Sequence, residues 1–151
     1  MKKPGNTSDF IEQRDKELYA AFLEALKNPE CKSLAEMHEL AANTPCSRFW
    51  VSEQRAALVV SEIYRFGADK ALADAFPQRK RMYLEIFRRV VQLRSQKSEL
   101  CLLHAVAEVI EQPAPEFYLT PLSSKITIYK IARRRRLARK LQAKRNSNTQ
   151  E

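Results

Sequence analysis

Glycine is nearly absent from this chain, which has two glycines, Gly5 and Gly67, among 151 residues. Two glycines cannot supply a phosphate-binding loop, a dinucleotide-binding fingerprint or a series of tight hairpins. Nucleotide-binding α/β folds and β-sandwiches are therefore excluded. The abundant residues are alanine, leucine, glutamate, lysine and arginine, which favour helices. Because 44% of the residues are apolar, the chain can also form a hydrophobic core.

Cysteine and long apolar runs are also scarce. Cys31, Cys46 and Cys101 are odd in number and widely spaced, so they predict neither a disulfide framework nor a zinc cluster. The first ten residues contain two lysines but not the apolar run of a secretory leader. No stretch approaches the roughly 20 apolar residues of a membrane span. These features predict a cytoplasmic protein with reduced thiols and no membrane partner.

Positive charge is concentrated at the C-terminal end. The formal net charge of the chain is +9, and residues 125–151 hold many lysines and arginines against one acid, Glu151. The first 124 residues are electrically balanced. Such an asymmetry indicates an anionic partner, either nucleic acid or a membrane surface. Nucleic acid is favoured, because beyond residue 131 the apolar residues are only leucines and alanines, whereas an interfacial helix presents large apolar side chains opposite its basic face.

Hydrophobic periodicity predicts three helices in the first half of the chain. One runs from about Asp9 to Lys27 and ends before Pro29, the second begins after Ser33, and the third follows Ser52 as its N-cap. The residues of the second helix expected to face inward are Leu34, Met37, Leu40 and Ala41.

The same order of features then recurs. PCSRFWVSEQRAALVVSEIYR at 45–65 aligns with PAPEFYLTPLSSKITIYKIAR at 113–133, which pairs Phe49 with Phe117. In the upstream helices the recurring stripes pair Leu18 with Met82, and His38 with His104. Three recurring helices with corresponding caps indicate a tandem duplication of a three-helix module.

The predicted fold is therefore all-α, with two similar three-helix modules and a basic helical extension. Residues 1–76 would hold the first module and a linker, and residues 77–133 the second module. Residues 134–151, named the basic arm below, would form the extension.

The phrases SRFWVSEQRA and QPAPEFYLTP resemble those of uncharacterised short two-copy proteins of Bacteroidetes bacteria and their phages. The resemblance implies a bacterial or phage origin, and it implies no activity.

The aromatic residues before each third helix have two interpretations. Phe49 and Phe117 are expected in the cores, with Trp50 and Tyr118 partly exposed, because an apolar residue before a cap packs on the first helical turn. Alternatively, Trp50 and Tyr118 would be platforms on which nucleic-acid bases stack.

The strongest indication of function is the run of basic residues near the C-terminus. Arginine dominates there, and its planar fork suits phosphate oxygens. The chain is therefore predicted to be a nucleic-acid-binding accessory protein, with DNA preferred to RNA. The candidate phosphate-binding residues are Lys130, Arg133, Arg134, Arg135, Arg136, Arg139, Lys140, Lys144 and Arg145.

Other interpretations of the charge remain open at this stage. The arm could be a solvated tail that aids solubility. The protein could instead have a protein-interaction, homo-oligomeric or virion structural role, with the arm docked on an acidic partner or a packaged genome. An exposed apolar patch would favour that role. A basic surface continuous with the arm would favour nucleic acid, and the residues that could form it are Arg79, Lys80, Arg81, Arg88 and Arg89.

Catalysis finds little support in the sequence. His38 and His104 lie outside any metal-binding pattern, and no nucleophile motif is present. The chain is not predicted to be an enzyme, and no metal or cofactor is predicted.

Overall fold

The computed structural model describes residues 7–149. This part of the chain forms seven helices and no strand, which confirms the all-α prediction. The helices are α1 (Thr7–Leu26), α2 (Leu34–Ala42), α3 (Glu53–Phe66), α4 (Ala68–Ala71), α5 (Pro77–Gln96), α6 (Leu102–Ile110) and α7 (Pro121–Thr149). None of them is both long enough and apolar enough to cross a membrane.

Hydroxyl side chains cap three of these helices, as the sequence predicts. The backbone N–H of Glu36 donates to the Ser33 hydroxyl (3.2 Å), and that of Arg55 donates to Ser52 (3.2 Å). Thr120 accepts from the N–H of Ser123 in the same way (3.0 Å) before α7 begins at a proline. Each cap satisfies a donor that has no partner within its own helix.

The third helix of each half packs against the other half of the chain. Helix α3 lies against α5 and α6, whereas α7 lies against α1 and α2. The short helix α4 packs on α3. The helices therefore form two groups, α1–α2–α7 and α5–α6–α3. The division into residues 1–76, 77–133 and 134–151 stays a prediction, and the packing runs across it.

This exchange is fixed where two connecting segments cross, at residues 43–52 and 111–120. Cys46 and Ala114 donate backbone N–H groups to each other's carbonyl oxygens, both at 3.0 Å. Beside this pair, the N–H of Phe49 donates to the carbonyl of Ile110 (2.9 Å). The N–H of Phe117 donates to the carbonyl oxygen of Ala42 at the same distance, 2.9 Å. The two segments thus satisfy each other's backbone groups by matching bonds.

Aromatic side chains fill the space around the crossing. Phe49 and Phe117 are buried, and Trp50 and Tyr118 are partly buried, as predicted. The Phe49 ring stacks on Tyr118 with centroids 6.1 Å apart, and Trp50 stacks on Phe117 at 6.3 Å. Each buried phenylalanine therefore contacts the aromatic residue of the opposite segment. This contact favours the packing interpretation of Trp50 and Tyr118, because stacking on a base needs an open ring face.

The two histidines paired by the predicted duplication differ in burial. His38 is 8% exposed, whereas His104 lies on the surface. Most buried positions from α2 to α3 coincide with buried positions from α6 to α7 at a shift of 68, which is the separation of Phe49 and Phe117. In that register His38 corresponds to the buried Val106. At the same separation Leu18 and Ile86 are both fully buried, and Met82, the predicted match of Leu18, is buried as well.

The predicted inward face of α2 is also partly wrong. Leu34 is 62% exposed and Leu40 is exposed, while Ala41 and Ala42 are buried. The reason is the close approach of α7, where the buried Ser124 hydroxyl donates to the carbonyl oxygen of His38 (2.9 Å). The buried face of α2 consists of His38, Ala41 and Ala42; Leu34 lies in the same row but in the first turn, where it is exposed, and Leu40 lies on the opposite side of the helix.

The crossing generates a stability prediction. Replacing Phe49 or Phe117 by alanine is expected to lower the free energy of unfolding by about 3–5 kcal/mol, because each change leaves a cavity between both helix groups. Urea unfolding monitored by far-UV circular dichroism would measure this decrease. Phe66→Ala is the matched control, since that ring is exposed, and its stability should fall by less than about 1 kcal/mol. Equally small decreases in all three variants would contradict the prediction.

Candidate nucleic-acid interface

Helix α7 is twice as long as its counterpart α3, and the cause is visible at the ends of the two helices. Helix α3 ends at Gly67, whose backbone (φ 87°, ψ 157°) is a conformation that residues with a side chain rarely adopt. The corresponding position of α7 is Arg135, and no glycine or further proline follows Pro121 within the helix. Helix α7 therefore continues to Thr149. Its whole length is about 44 Å at 1.5 Å per residue.

The body holds only the first half of α7. Ser124, Ile128 and Ile131 are buried. Further along the helix, Arg135 also contacts the body. Its guanidinium lies 4.4 Å from the centroid of the Tyr19 ring on α1, a cation–π geometry. Every residue from 136 to 149 is exposed. This half of the helix therefore projects from the two helix groups.

The structure places all the predicted phosphate-binding residues on this one helix, and all of them are exposed. Four consecutive arginines at 100° intervals cannot share one face, so Arg133 to Arg136 surround the axis. Helical spacing gives Arg133, Arg136, Lys140 and Lys144 a common row on the side opposite Ile128. None of the candidate residues forms an ion pair with a carboxylate in residues 10–149.

Among the described residues, carboxylates line a cleft at the base of the arm. Glu12 and Asp15 of α1 line a cleft together with Arg134 and Arg135, and Asp15 is itself paired with Arg14 at 3.0 Å. Residues 136–149 contain no acid at all. The positive potential is therefore greatest on the projecting half of the helix.

Three arginines of α5 form ion pairs with nearby carboxylates. Arg81 pairs with Glu116 at 2.6 Å, and Arg88 and Arg89 pair with Glu85 at 2.6 and 2.9 Å. The hydrogen bond from Arg88 is the main cause that lowers the pKa of Glu85. Arg89 also donates to the carbonyl of residue 113. Arg81, Arg88 and Arg89 are therefore each paired with a nearby carboxylate, while Arg79 and Lys80, predicted with them, form no ion pair among the described residues.

Sequence analysis missed the contact between Arg135 and Tyr19, because no local pattern connects residues so far apart. It also missed a cleft beside the arm, where apolar residues of α7 are exposed. The signal for the cleft was present in the spacing of Ile126 and Tyr129, which places two large apolar side chains on the basic side of the helix.

Within residues 10–149, no three histidine, cysteine, aspartate or glutamate side chains come together as a metal site would require. Comparisons of the chain with protein-family models, with curated proteins and with solved structures find no match.

The geometry predicts that the projecting half of α7 is dispensable for folding. Removal of residues 137–151 is expected to change the free energy of unfolding by less than about 0.5 kcal/mol, because every described side chain removed is exposed. Arg135→Ala, which removes the guanidinium from the Tyr19 ring, should lower it by about 0.5–1 kcal/mol. Urea titration of both variants would test this. A truncated protein that unfolds as early as Phe49→Ala would show that the arm supports the body.

Proposed function

We propose that this protein is a nucleic-acid-binding accessory protein that binds duplex DNA through the basic arm. The observation that carries the proposal is the projection of residues 136–149 as an exposed helix without a carboxylate. This stretch carries five cationic side chains, which repel one another: Arg136, Arg139, Lys140, Lys144 and Arg145. DNA phosphates relieve this repulsion, and the counterions released from the DNA favour binding.

The shape of the arm favours duplex DNA over duplex RNA. A helix with its side chains is about 10–12 Å wide, which matches the roughly 12 Å width of the B-DNA major groove. The major groove of A-form RNA is deep and too narrow to admit a helix. Because cations surround the axis of the arm, they would reach phosphates on both sides of such a groove.

The contacts proposed here position the protein without selecting a sequence, since phosphates are the same at every base pair. Binding is therefore expected to depend strongly on salt and weakly on DNA sequence. This expectation fits an accessory role better than that of a site-specific regulator.

A charge-matched pair of variants tests the proposal. The arm variant replaces four projecting cations by glutamine, namely Arg136, Arg139, Lys140 and Lys144. Its affinity for a 20-base-pair fluorescein-labelled DNA duplex should fall sharply at low salt. The slope of log K against log salt should become shallower by about 0.9 for each phosphate that the arm no longer neutralises. Fluorescence anisotropy over a salt series measures both quantities, and glutamine preserves helix propensity.

The control variant removes the same charge from exposed positions on the body, by glutamine at Lys32, Arg55, Lys70 and Arg79. It should bind DNA with nearly the affinity and salt slope of the unchanged chain. An equal decrease in affinity in the two variants would mean that net charge alone causes binding, and the assignment to the arm would be wrong. An RNA duplex of the same sequence should bind more weakly than the DNA.

We also propose that the two halves of the chain are a tandem duplication. The crossing supports this, because Phe49 and Phe117 make corresponding hydrogen bonds to Ile110 and Ala42. Helices α2 and α6 have equal length, nine residues each, and the three buried positions of α2 coincide with buried positions of α6 in the same register. The hydroxyl caps that precede α3 and α7 correspond as well. The arm would then be an extension acquired by one copy only.

The duplication predicts a superposition in an experimentally determined structure. Residues 34–65 should overlay residues 102–133, with Phe49 on Phe117 and Ser52 on Thr120. A crystal structure in which only one of the two connecting segments makes these bonds would contradict a duplicated origin.

A further inference from the structure

A cleft of about 630 Å³ lies beside the base of the arm, between α2 and α7. Its lining is apolar and includes Phe22, Leu34 and Ile128. Leu34 is 62% exposed, Tyr129 61% and Ile126 45%. Single exposed apolar side chains are normal on a protein surface, but several that line one cleft indicate a binding surface.

Positive charge borders this apolar surface. Lys125, Lys130 and Arg133, all on α7, line the cleft, and no carboxylate is among the described residues that do so. An occupant that complements the cleft must therefore present apolar side chains and negative charge together. The phosphates of nucleic acid supply the charge, but they offer nothing to cover Leu34 and Ile126.

The other helix group shows what is special about this cleft. The position of α3 that corresponds to Ala132 is Tyr64, and its ring packs edge-on against Phe87 of α5 with centroids 5.0 Å apart. Ala132 carries no such ring and lines the cleft, while Tyr19, which corresponds to Phe87, is covered by Arg135 instead. The positions corresponding to Lys125 and Lys130 are Ala57 and Glu62, so two of the three border cations are particular to α7, whereas Arg133 corresponds to Arg65.

We propose that this cleft binds an acidic amphipathic helix of a partner protein. Its apolar face would cover Leu34, Ile126 and Tyr129, and its carboxylates would lie near Lys125 and Lys130. Such a helix commonly docks by apolar residues spaced three and four apart. The exposed Ile126 and Tyr129 present a matching stripe along α7. The proposal does not depend on DNA binding by the arm.

The probe is a display library of random 16-residue peptides, selected for binding to the full chain. We expect the selected peptides to be acidic, with leucine or phenylalanine at helical spacing. Their affinity should fall at least tenfold in Ala132→Tyr, which places a ring in the cleft. Lys125→Glu leaves the cleft open but reverses one charge at its border. It should lower the affinity of the acidic peptides by a similar factor. Isothermal titration calorimetry of synthetic peptides would give these ratios.

Ala20→Tyr is the matched control, because Ala20 is exposed on α1 and lies outside the cleft. It should bind the peptides as the unchanged chain does. Circular dichroism would establish that all three variants fold. Ala132→Tyr should also keep the affinity of the arm for DNA, so failure of this proposal is distinguishable from failure of the proposed function.

Three outcomes would overturn the proposal. Selected peptides that bind Ala132→Tyr undiminished would place their site elsewhere. Peptides that are neutral or basic would show that the positive border does not choose the partner. A dimer of this chain seen by analytical ultracentrifugation and abolished by Ala132→Tyr would show that a second copy covers the cleft.

Discussion

The structure depends on the exchange of hydrogen bonds between two connecting segments that cross. Each segment supplies the partners for the other's buried backbone groups, through the pair Cys46 and Ala114 and the two flanking phenylalanines. A buried donor without an acceptor lowers stability by about 1–3 kcal/mol. Displacing one segment would therefore leave backbone groups of the other without hydrogen-bond partners. The crossing also surrounds the Cys46 thiol, and burial raises the pKa of that thiol to about 11. One local arrangement thereby fixes the path of both connections.

The crossing decides where each third helix goes. After it, α3 continues onto α5 and α6, while α7 continues onto α1 and α2. The two helix groups are consequently linked twice by the chain and share one core, in which Phe49 and Phe117 are central. Each half thus supplies a helix that the other half needs to cover its apolar surface.

The two third helices then differ in ways that bear on function. Gly67 ends α3 and turns the chain toward α5, whereas α7 has Arg135 at that position and continues into solvent. Tyr64 covers apolar surface beside α3, whereas Ala132 leaves a cleft beside α7. Both differences lie on the same helix, so the cationic helix and the apolar cleft are neighbours. The proposed DNA-binding and peptide-binding surfaces follow from this departure from symmetry.

The sequence by itself determined the helices, the caps at Ser33 and Ser52, the burial of Phe49, and the basic arm, because these depend on local propensity and periodicity. Only the tertiary structure decided which helices pack together, and that His38, Ala41 and Ala42 rather than Leu34 are the buried residues of α2. Periodicity reports that a helix has an apolar face, but it does not report how closely a neighbour approaches. The approach of α7 to α2 is set by the Ser124 hydroxyl on the carbonyl of His38, a contact between residues 86 positions apart. The cleft beside the arm has the same origin, because it forms where α7 packs next to the exposed Leu34 of α2.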